Sequence, residues 1–114
     1  MTITNVTKNT LIANRARIAD SFISRLTGLL GKSSLPAGEA LVITRSNCIH
    51  MFFMRFAIDA IFVDSENRAV GLAENLKPFH ISPLFNKASR TIEIPAGTIQ
   101  SSKTSLGDIL DFKS

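Results

Sequence analysis

The sequence contains no tryptophan, no tyrosine and a single cysteine, Cys48. One cysteine excludes a disulfide within the chain and a zinc site built from several thiolates. A lone thiol is compatible with a reducing compartment, and residues 1–5 lack the basic and apolar regions of a signal peptide. We therefore expect a cytoplasmic protein.

Clusters of like charge and long apolar runs are also missing. The 13 Lys and Arg residues against 9 Asp and Glu residues give a formal net charge of +4. A basic balance favours anionic partners, but these cations are dispersed, which argues against a nucleic acid as partner. The longest apolar stretch, residues 48–63, contains three polar side chains and is shorter than the roughly 20 apolar residues of a membrane helix, so no membrane span is expected.

The remaining composition is that of a globular protein. With 114 residues, of which 45% are hydrophobic, the chain is expected to form a single domain over residues 1–114. Short alternating segments predict six or seven strands, a helix at residues 21–30 and a weaker one at 97–101 capped by Thr98. We predict an α+β fold, namely a mostly antiparallel, strongly bent sheet or a small partly closed β-barrel, with the main helix covering an opening.

Two hairpins are predicted from local signals. Residues 2–6 and 10–19 read as strands that turn around Lys8 and Asn9. Residues 58–63 and 69–76 are separated by a polar turn in which Asn67 is best suited to a positive φ.

The apolar segment at residues 48–64 is too long for one regular strand. A break near residues 55–57 would divide it into two buried strands, 49–54 and 58–63. The break would also allow Arg55 and Asp59 to pair. Such a pair is interpreted as a structural ion bridge, with a polar anchor in a ligand pocket as the alternative.

Several groups near this segment could carry chemistry. Cys48 and His50 would share one face of a strand, and the pair is interpreted as a buried thiol beside a hydrogen-bonded histidine, or alternatively as a nucleophile with its base. Met51 and Met54 are soft ligands, yet no second cluster completes a metal site, so core filling is preferred and no metal is expected. His80, between two prolines, is interpreted as a surface residue.

The sequence resembles a known family in its order of motifs. The similar stretches are residues 24–31, 48–64, 74–78, 92–98 and 106–108, and the most specific part is His50-Met51-x-x-Met54 with the following Ile58-Asp59. They resemble the prokaryotic family named only as domain of unknown function 192. The resemblance implies a compact β-barrel-like domain of bacterial source and implies no activity. This chain has Ala57, Asn67 and Phe79 where the family often has proline, glycine and tryptophan.

The sequence has no phosphate loop and no dinucleotide fingerprint, so no cofactor is expected. Three hypotheses of function follow from these residues. The first is a non-catalytic, monomeric module that binds an unidentified small molecule or protein, and it is preferred. The second is an enzyme that uses Cys48 with His50. The third is an anion site made by Arg55, Lys77 and Arg90. The residues expected to line a ligand pocket are His50, Met54, Arg55, Asp59, Lys77 and Arg90.

Overall fold

The computed structural model describes residues 1–19, 34–49, 51 and 54–114. Strands predominate in this part of the chain, which confirms a strand-dominated α+β protein. The helix predicted at residues 21–30 lies outside the described residues. In chain order the elements are β1 (Thr2–Asn5), β2 (Thr10–Ala13), β3 (Arg15–Ala19), β4 (Glu39–Thr44), β5 (Ile58–Val63), β6 (Ala69–Leu76), β7 (Arg90–Pro95), α1 (Thr98–Ser101) and β8 (Leu110–Lys113).

The described strands form two open sheets. One has the order β2-β1-β8 and the other β3-β4-β7-β5-β6. The predicted antiparallel character is confirmed for every pair except β3 with β4, which is parallel. The predicted strand over residues 10–19 is divided at Asn14, where the N–H groups of Asn14 and Arg15 both donate to the carbonyl of Gly38. The chain crosses between sheets there, so these strands do not close into a barrel.

Each face of the five-stranded sheet carries its own apolar cluster. The first face packs against the three-stranded sheet and α1 through buried side chains that include Ile61, Ile92 and Ile99. The second face carries Phe62, Met51 and other buried residues, together with half-buried aromatic side chains. Because β5 lies between β6 and β7 and contributes to both clusters, all six of its residues are buried, as predicted for this strand.

Both predicted hairpins are present. β1 and β2 are joined by a turn in which Asn9 has φ 57°, and β5 and β6 by one in which Asn67 has φ 63°. Asparagine tolerates this left-handed conformation better than other side chains with a Cβ. In the second turn the Asp64 carboxylate accepts the N–H groups of Glu66 and Arg68.

The prediction of a strand at residues 49–54 is wrong for the described members of that segment. Ile49, Met51 and Met54 are buried, but none of them lies in a strand. The N–H of Met54 donates to the carbonyl of Met51. The apolar pattern therefore predicted the burial of these three residues correctly and their backbone conformation incorrectly.

A polar network holds the C-terminal turn against β1. The buried Asp108 carboxylate accepts hydrogen bonds from the Asn5 side chain at 2.9 Å and from the backbone N–H of Ser105 at 2.9 Å, and it pairs with Lys8 Nζ at 2.8 Å. Asn5 also donates to the Thr104 hydroxyl. The network joins segments about a hundred residues apart in sequence.

Asp108 gives the fold an expected acid dependence. Burial by itself raises the pKa of this carboxyl, but the bonds from Asn5, Lys8 and Ser105 together hold that pKa below its ordinary value of 3.8. The associated stabilisation is complete above the ordinary pKa and is lost as the pH falls through the lower, folded value. We expect the urea midpoint of the wild-type protein to fall between about pH 5 and pH 2. The fall should be shallower for Asp108→Asn, and equal slopes would contradict this role.

Candidate functional site

Asp59 is a buried structural acceptor. Its carboxylate is 1% exposed. One oxygen accepts the N–H of Asn75 at 2.8 Å, and the other accepts the N–H groups of Gly97 at 3.0 Å and Ile99 at 2.9 Å. The two last donors lie at the start of α1, whose preceding Gly97 makes no side-chain cap. Asp59 therefore joins β5 to the end of β6 and to α1, and the predicted cap by Thr98 is not found.

The predicted ion bridge between Arg55 and Asp59 is not formed. Arg55 is exposed, whereas Asp59 is buried and its two oxygens accept backbone N–H groups from other segments. Within the part of the chain that the structure describes, no ion pair joins the two residues. The break between them is present, but it turns their side chains to different environments.

The three cations predicted to form an anion site do not come together. Lys77 directly follows β6 and Arg55 shortly precedes β5, at the end of the sheet where Ile58 pairs with Leu76. Arg90 pairs with Val63 at the opposite end of β5, about 17 Å away along the strand. The hypothesis of a shared site is therefore wrong for Arg90.

Arg90 has a structural environment instead. Its guanidinium lies 4.4 Å from the centre of the Phe112 ring and donates to the Asn67 side chain. Partial burial lowers the pKa of Arg90 from its ordinary value. Arg90 thus ties the start of β7 to the hairpin turn and to β8.

The other predicted site residues are also dispersed. Cys48 is exposed, so its interpretation as a buried thiol is wrong. His50 lies outside the described residues. Met54 is buried in the apolar cluster of the second face, which confirms core filling. A ligand pocket around Arg55 stays a prediction.

The loop at residues 77–87 is held against the segment that contains Cys48. The N–H of Phe79 donates to the carbonyl of Met51, and the N–H of Met51 donates to the carbonyl of His80. Farther along, Ile49 and Ser82 exchange two bonds, one of them to the Ser82 hydroxyl at 2.8 Å. These bonds explain why Ile49 and Met51 need no strand partner, since the loop supplies both donors and acceptors for their backbone groups.

Phe85 anchors the same loop on the sheet. Its ring lies with its centre 4.5 Å from that of Phe62 in β5. Gly71 of β6 leaves the space for this ring, because a Cβ at that position would lie closer than 3.0 Å to three of the ring atoms. The loop is therefore fixed from two directions, by backbone bonds and by one aromatic side chain.

The outer side of this loop is apolar and basic. Phe79, Ile81 and Leu84 are 69%, 61% and 61% exposed, although each is a large apolar residue. We use the term loop surface for the exposed side chains of Lys77, Phe79, His80, Ile81, Leu84 and Lys87. Large apolar side chains that are exposed close together in the chain favour an interaction site.

The loop surface is free of acidic residues. Residues 75–92 and the segment 40–58, part of which pairs with the loop, contain no Asp and no Glu. They contain five of the thirteen Lys and Arg residues, namely Arg45, Arg55, Lys77, Lys87 and Arg90. Of these, Lys77 and Lys87 belong to the loop surface and have no acidic residue between them in the chain, and such a surface attracts anions.

Phe79 occupies a strained backbone conformation. Its φ is 65°, in the left-handed region that bulky side chains avoid. Asn9, Asn67 and Asn75 occupy three other such positions among the described residues, and Arg45 and Lys103 occupy two more. A phenylalanine that is both strained and exposed contributes little to folding, which directs attention to its side chain as a binding element.

Sequence analysis missed the loop surface, although a signal was present. It identified His80 as a surface residue, and this is confirmed. The informative pattern is the apolar run between Pro78 and Phe85 in a stretch without carboxylates. A second omission is Glu93, which was not singled out and is fully buried on the second face, opposite Leu41 and Ala60 of the neighbouring strands.

Two features are absent from the described residues. They contain no group of three or more His, Cys, Asp and Glu residues placed to hold a metal ion. No helix among them is long and apolar enough to cross a membrane.

Curated relatives are similar to nearly the whole chain. A UPF0127 protein of Pyrococcus horikoshii is 41% identical over 109 residues, which covers 93% of this chain and 94% of that protein. A UPF0127 protein of Pyrococcus furiosus is 35% identical over 113 residues, with 95% of each chain covered. These relatives are archaeal, so a bacterial source stays a prediction.

Two solved structures share the fold. A protein of unknown function from Novosphingobium aromaticivorans matches with a TM-score of 0.81 at 20% identity, covering 97% of this chain and 82% of that chain. A proposed transcription regulator from Sinorhizobium meliloti matches with a TM-score of 0.77 at 19% identity, covering 96% and 89%. The model of the domain of unknown function 192 family, described as "Uncharacterized ACR", matches residues 3–112. The chain therefore belongs to this uncharacterised family.

Proposed function

We propose that the protein is a non-catalytic binding module and that its loop surface binds an anionic partner. The observation that carries the proposal is the coincidence of exposed apolar and cationic side chains on one braced loop. Phe79, Ile81 and Leu84 offer apolar area, while Lys77 and Lys87 lie at the two ends of the loop. Such a surface can bind a partner that combines negative charge with an apolar layer.

The loop is held in place by its contacts, and this supports a role in binding for its exposed side chains. Association costs less when the binding residues are already ordered, because less conformational entropy is lost. Phe85 fixes the loop on β5 and β6, and the backbone bonds of Phe79 and Ser82 fix it on the segment around Ile49. The loop surface is therefore presented in one arrangement.

The exposed thiol of Cys48 favours a second candidate, an enzyme that uses Cys48 with His50. A nucleophilic cysteine must be accessible, and Cys48 meets this condition. The variant Cys48→Ser separates the two candidates. It should keep full binding to an anionic probe if the loop surface is the site.

Charge reversal tests the proposal. We expect Lys77→Glu combined with Lys87→Glu to weaken binding of a poly-L-glutamate peptide by about tenfold, since exposed ion pairs are worth up to about 1 kcal/mol each. Affinity should also fall with added salt, because the charges are exposed. Isothermal titration calorimetry measures both effects.

The matched control is Arg17→Glu combined with Lys113→Glu. It changes the net charge equally, but Arg17 lies in β3, at the edge of the sheet opposite β6, and Lys113 lies in the other sheet. Binding should change by less than about twofold. Equal losses in the two double variants would show that only net charge matters and would contradict a site on the loop surface.

A further inference from the structure

We propose that the anionic partner of the loop surface is a bilayer of acidic phospholipids, into whose interface Phe79, Ile81 and Leu84 insert. This inference rests on the proposed function and specifies its partner. The protein would bind at the membrane surface as a peripheral protein, with Lys77 and Lys87 near the headgroups. Each lysine near such a surface contributes about fivefold to partition.

The charged residues of the loop surface favour a bilayer over a protein partner. Protein interfaces are enriched in Arg and depleted in Lys. Residues 77–87 contain no Arg, and the charges at the ends of the loop belong to Lys77 and Lys87. Leucine, which is under-represented among protein hot spots, is one of the three exposed apolar residues. Lysine beside aliphatic and aromatic side chains is typical of segments that lie in a membrane interface.

Part of the loop backbone is suited to an environment with little water. A backbone N–H that enters such an environment without a partner destabilises the bound state. The N–H groups of Phe79, His80 and Ser82 all donate to backbone carbonyls, and Pro78 and Pro83 have no N–H. Insertion of the neighbouring side chains therefore does not require these groups to give up bonds to water.

The conformation of Phe79 provides an independent argument. At φ 65° an asparagine is less strained, as at Asn9, Asn67 and Asn75. The exposed ring packs little against the protein, so folding gains little from phenylalanine at this position. A ring that enters the interface explains the residue, since burying a phenylalanine side chain away from water is among the larger favourable terms.

The test uses vesicles of equal parts phosphatidylcholine and phosphatidylglycerol, with vesicles of phosphatidylcholine alone as the neutral arm. In a sedimentation assay we expect the wild-type protein to bind the acidic vesicles at least about tenfold more strongly than the neutral ones. Phe79→Asn should lower partition to acidic vesicles by about fivefold and raise or maintain the midpoint of thermal unfolding.

The control variant is Leu106→Asn, which removes an apolar side chain that is 64% exposed and lies outside the loop. Its partition should equal that of the wild type. Equal losses for Phe79→Asn and Leu106→Asn would overturn the insertion of the loop.

The outcomes separate this inference from the function on which it rests. Binding to poly-L-glutamate without binding to acidic vesicles would overturn the bilayer and favour an acidic protein. Displacement of the protein from vesicles by free glycerol phosphate at matched phosphate concentration would also overturn it, because a soluble anion would then suffice. If the protein binds neither poly-L-glutamate nor acidic vesicles, the proposed function itself is overturned.

Discussion

Asp59→Ala is expected to lower the free energy of unfolding by about 3–4 kcal/mol, a large part of the stability of a chain of this size. The substitution leaves the N–H groups of Asn75, Gly97 and Ile99 without their acceptor. Buried donors without partners are costly, and Ile99 is itself buried. Because Asp59 joins β5, β6 and α1, its loss should act on the cooperative unfolding of the fold rather than on one loop.

Urea denaturation of further variants can measure how the loss of stability depends on the acceptor that is removed. Asp59→Asn keeps one carbonyl oxygen but directs an amide at a donor, so about 2 kcal/mol of loss is expected. The matched control is Asp64→Ala, which also removes an acceptor of two backbone N–H groups, but in an accessible turn where water can replace it. A loss of about 1 kcal/mol or less is expected there. Equal losses at Asp59 and Asp64 would contradict the structural role given to burial.

Gly71→Ala is expected to destabilise the protein by about 2–3 kcal/mol and to displace the loop at residues 77–87. The added Cβ would overlap three atoms along one edge of the Phe85 ring. These atoms include Cγ, which lies near the backbone, so a rotation of the ring alone cannot relieve the overlap. The ring also lies against Phe62, and the loop must therefore move away from the sheet.

A double-mutant cycle isolates this contact. Phe85→Ala alone removes the anchor and is expected to destabilise by about 3 kcal/mol. In that background Gly71→Ala should have little effect, because the ring that it would overlap is absent. The coupling energy should thus be close to the full effect of Gly71→Ala, and additive losses would show that the glycine serves another purpose. Binding to poly-L-glutamate should weaken in both single variants if loop position determines binding.

Local signals in the sequence were sufficient to predict much of the fold. The hairpin turns at Asn9 and Asn67, the buried strand β5 and its partner β6 were predicted from alternation and turn chemistry. These features depend on neighbours within a few residues, and their preferences act in the same direction as the tertiary structure.

Features that depend on distant partners could not be predicted. The segment around Ile49 and Met51 reads as a strand, but the loop near His80 and Ser82 provides its hydrogen bonds, which local propensity does not contain. Asp59 seemed to have a partner four residues away, whereas its partners are near residues 75 and 97–99. The parallel pairing of β3 with β4 is likewise a long-range choice.

The candidate site shows the same division. The sequence drew attention to polar residues near residues 48–59, where the structure places a buried acceptor, Asp59, and an exposed thiol, Cys48. It did not draw attention to Phe79 or Ile81, because apolar residues in a sequence are interpreted as core unless a structure shows them exposed. The absence of carboxylates at residues 75–92 was visible in the sequence. Only the structure shows that part of this stretch pairs with the segment around Ile49, which also lacks carboxylates.

The most direct test of the loop surface as a binding site is an amide chemical-shift titration of the wild-type protein with poly-L-glutamate. We expect the largest shifts at residues 77–87 and at the paired residues Asn47, Ile49 and Met51, and we expect them to disappear in the Lys77→Glu, Lys87→Glu variant. Shifts centred instead on Arg15 and Arg17 of β3, or on Lys103 and Lys113, would place the anion site elsewhere and contradict the account.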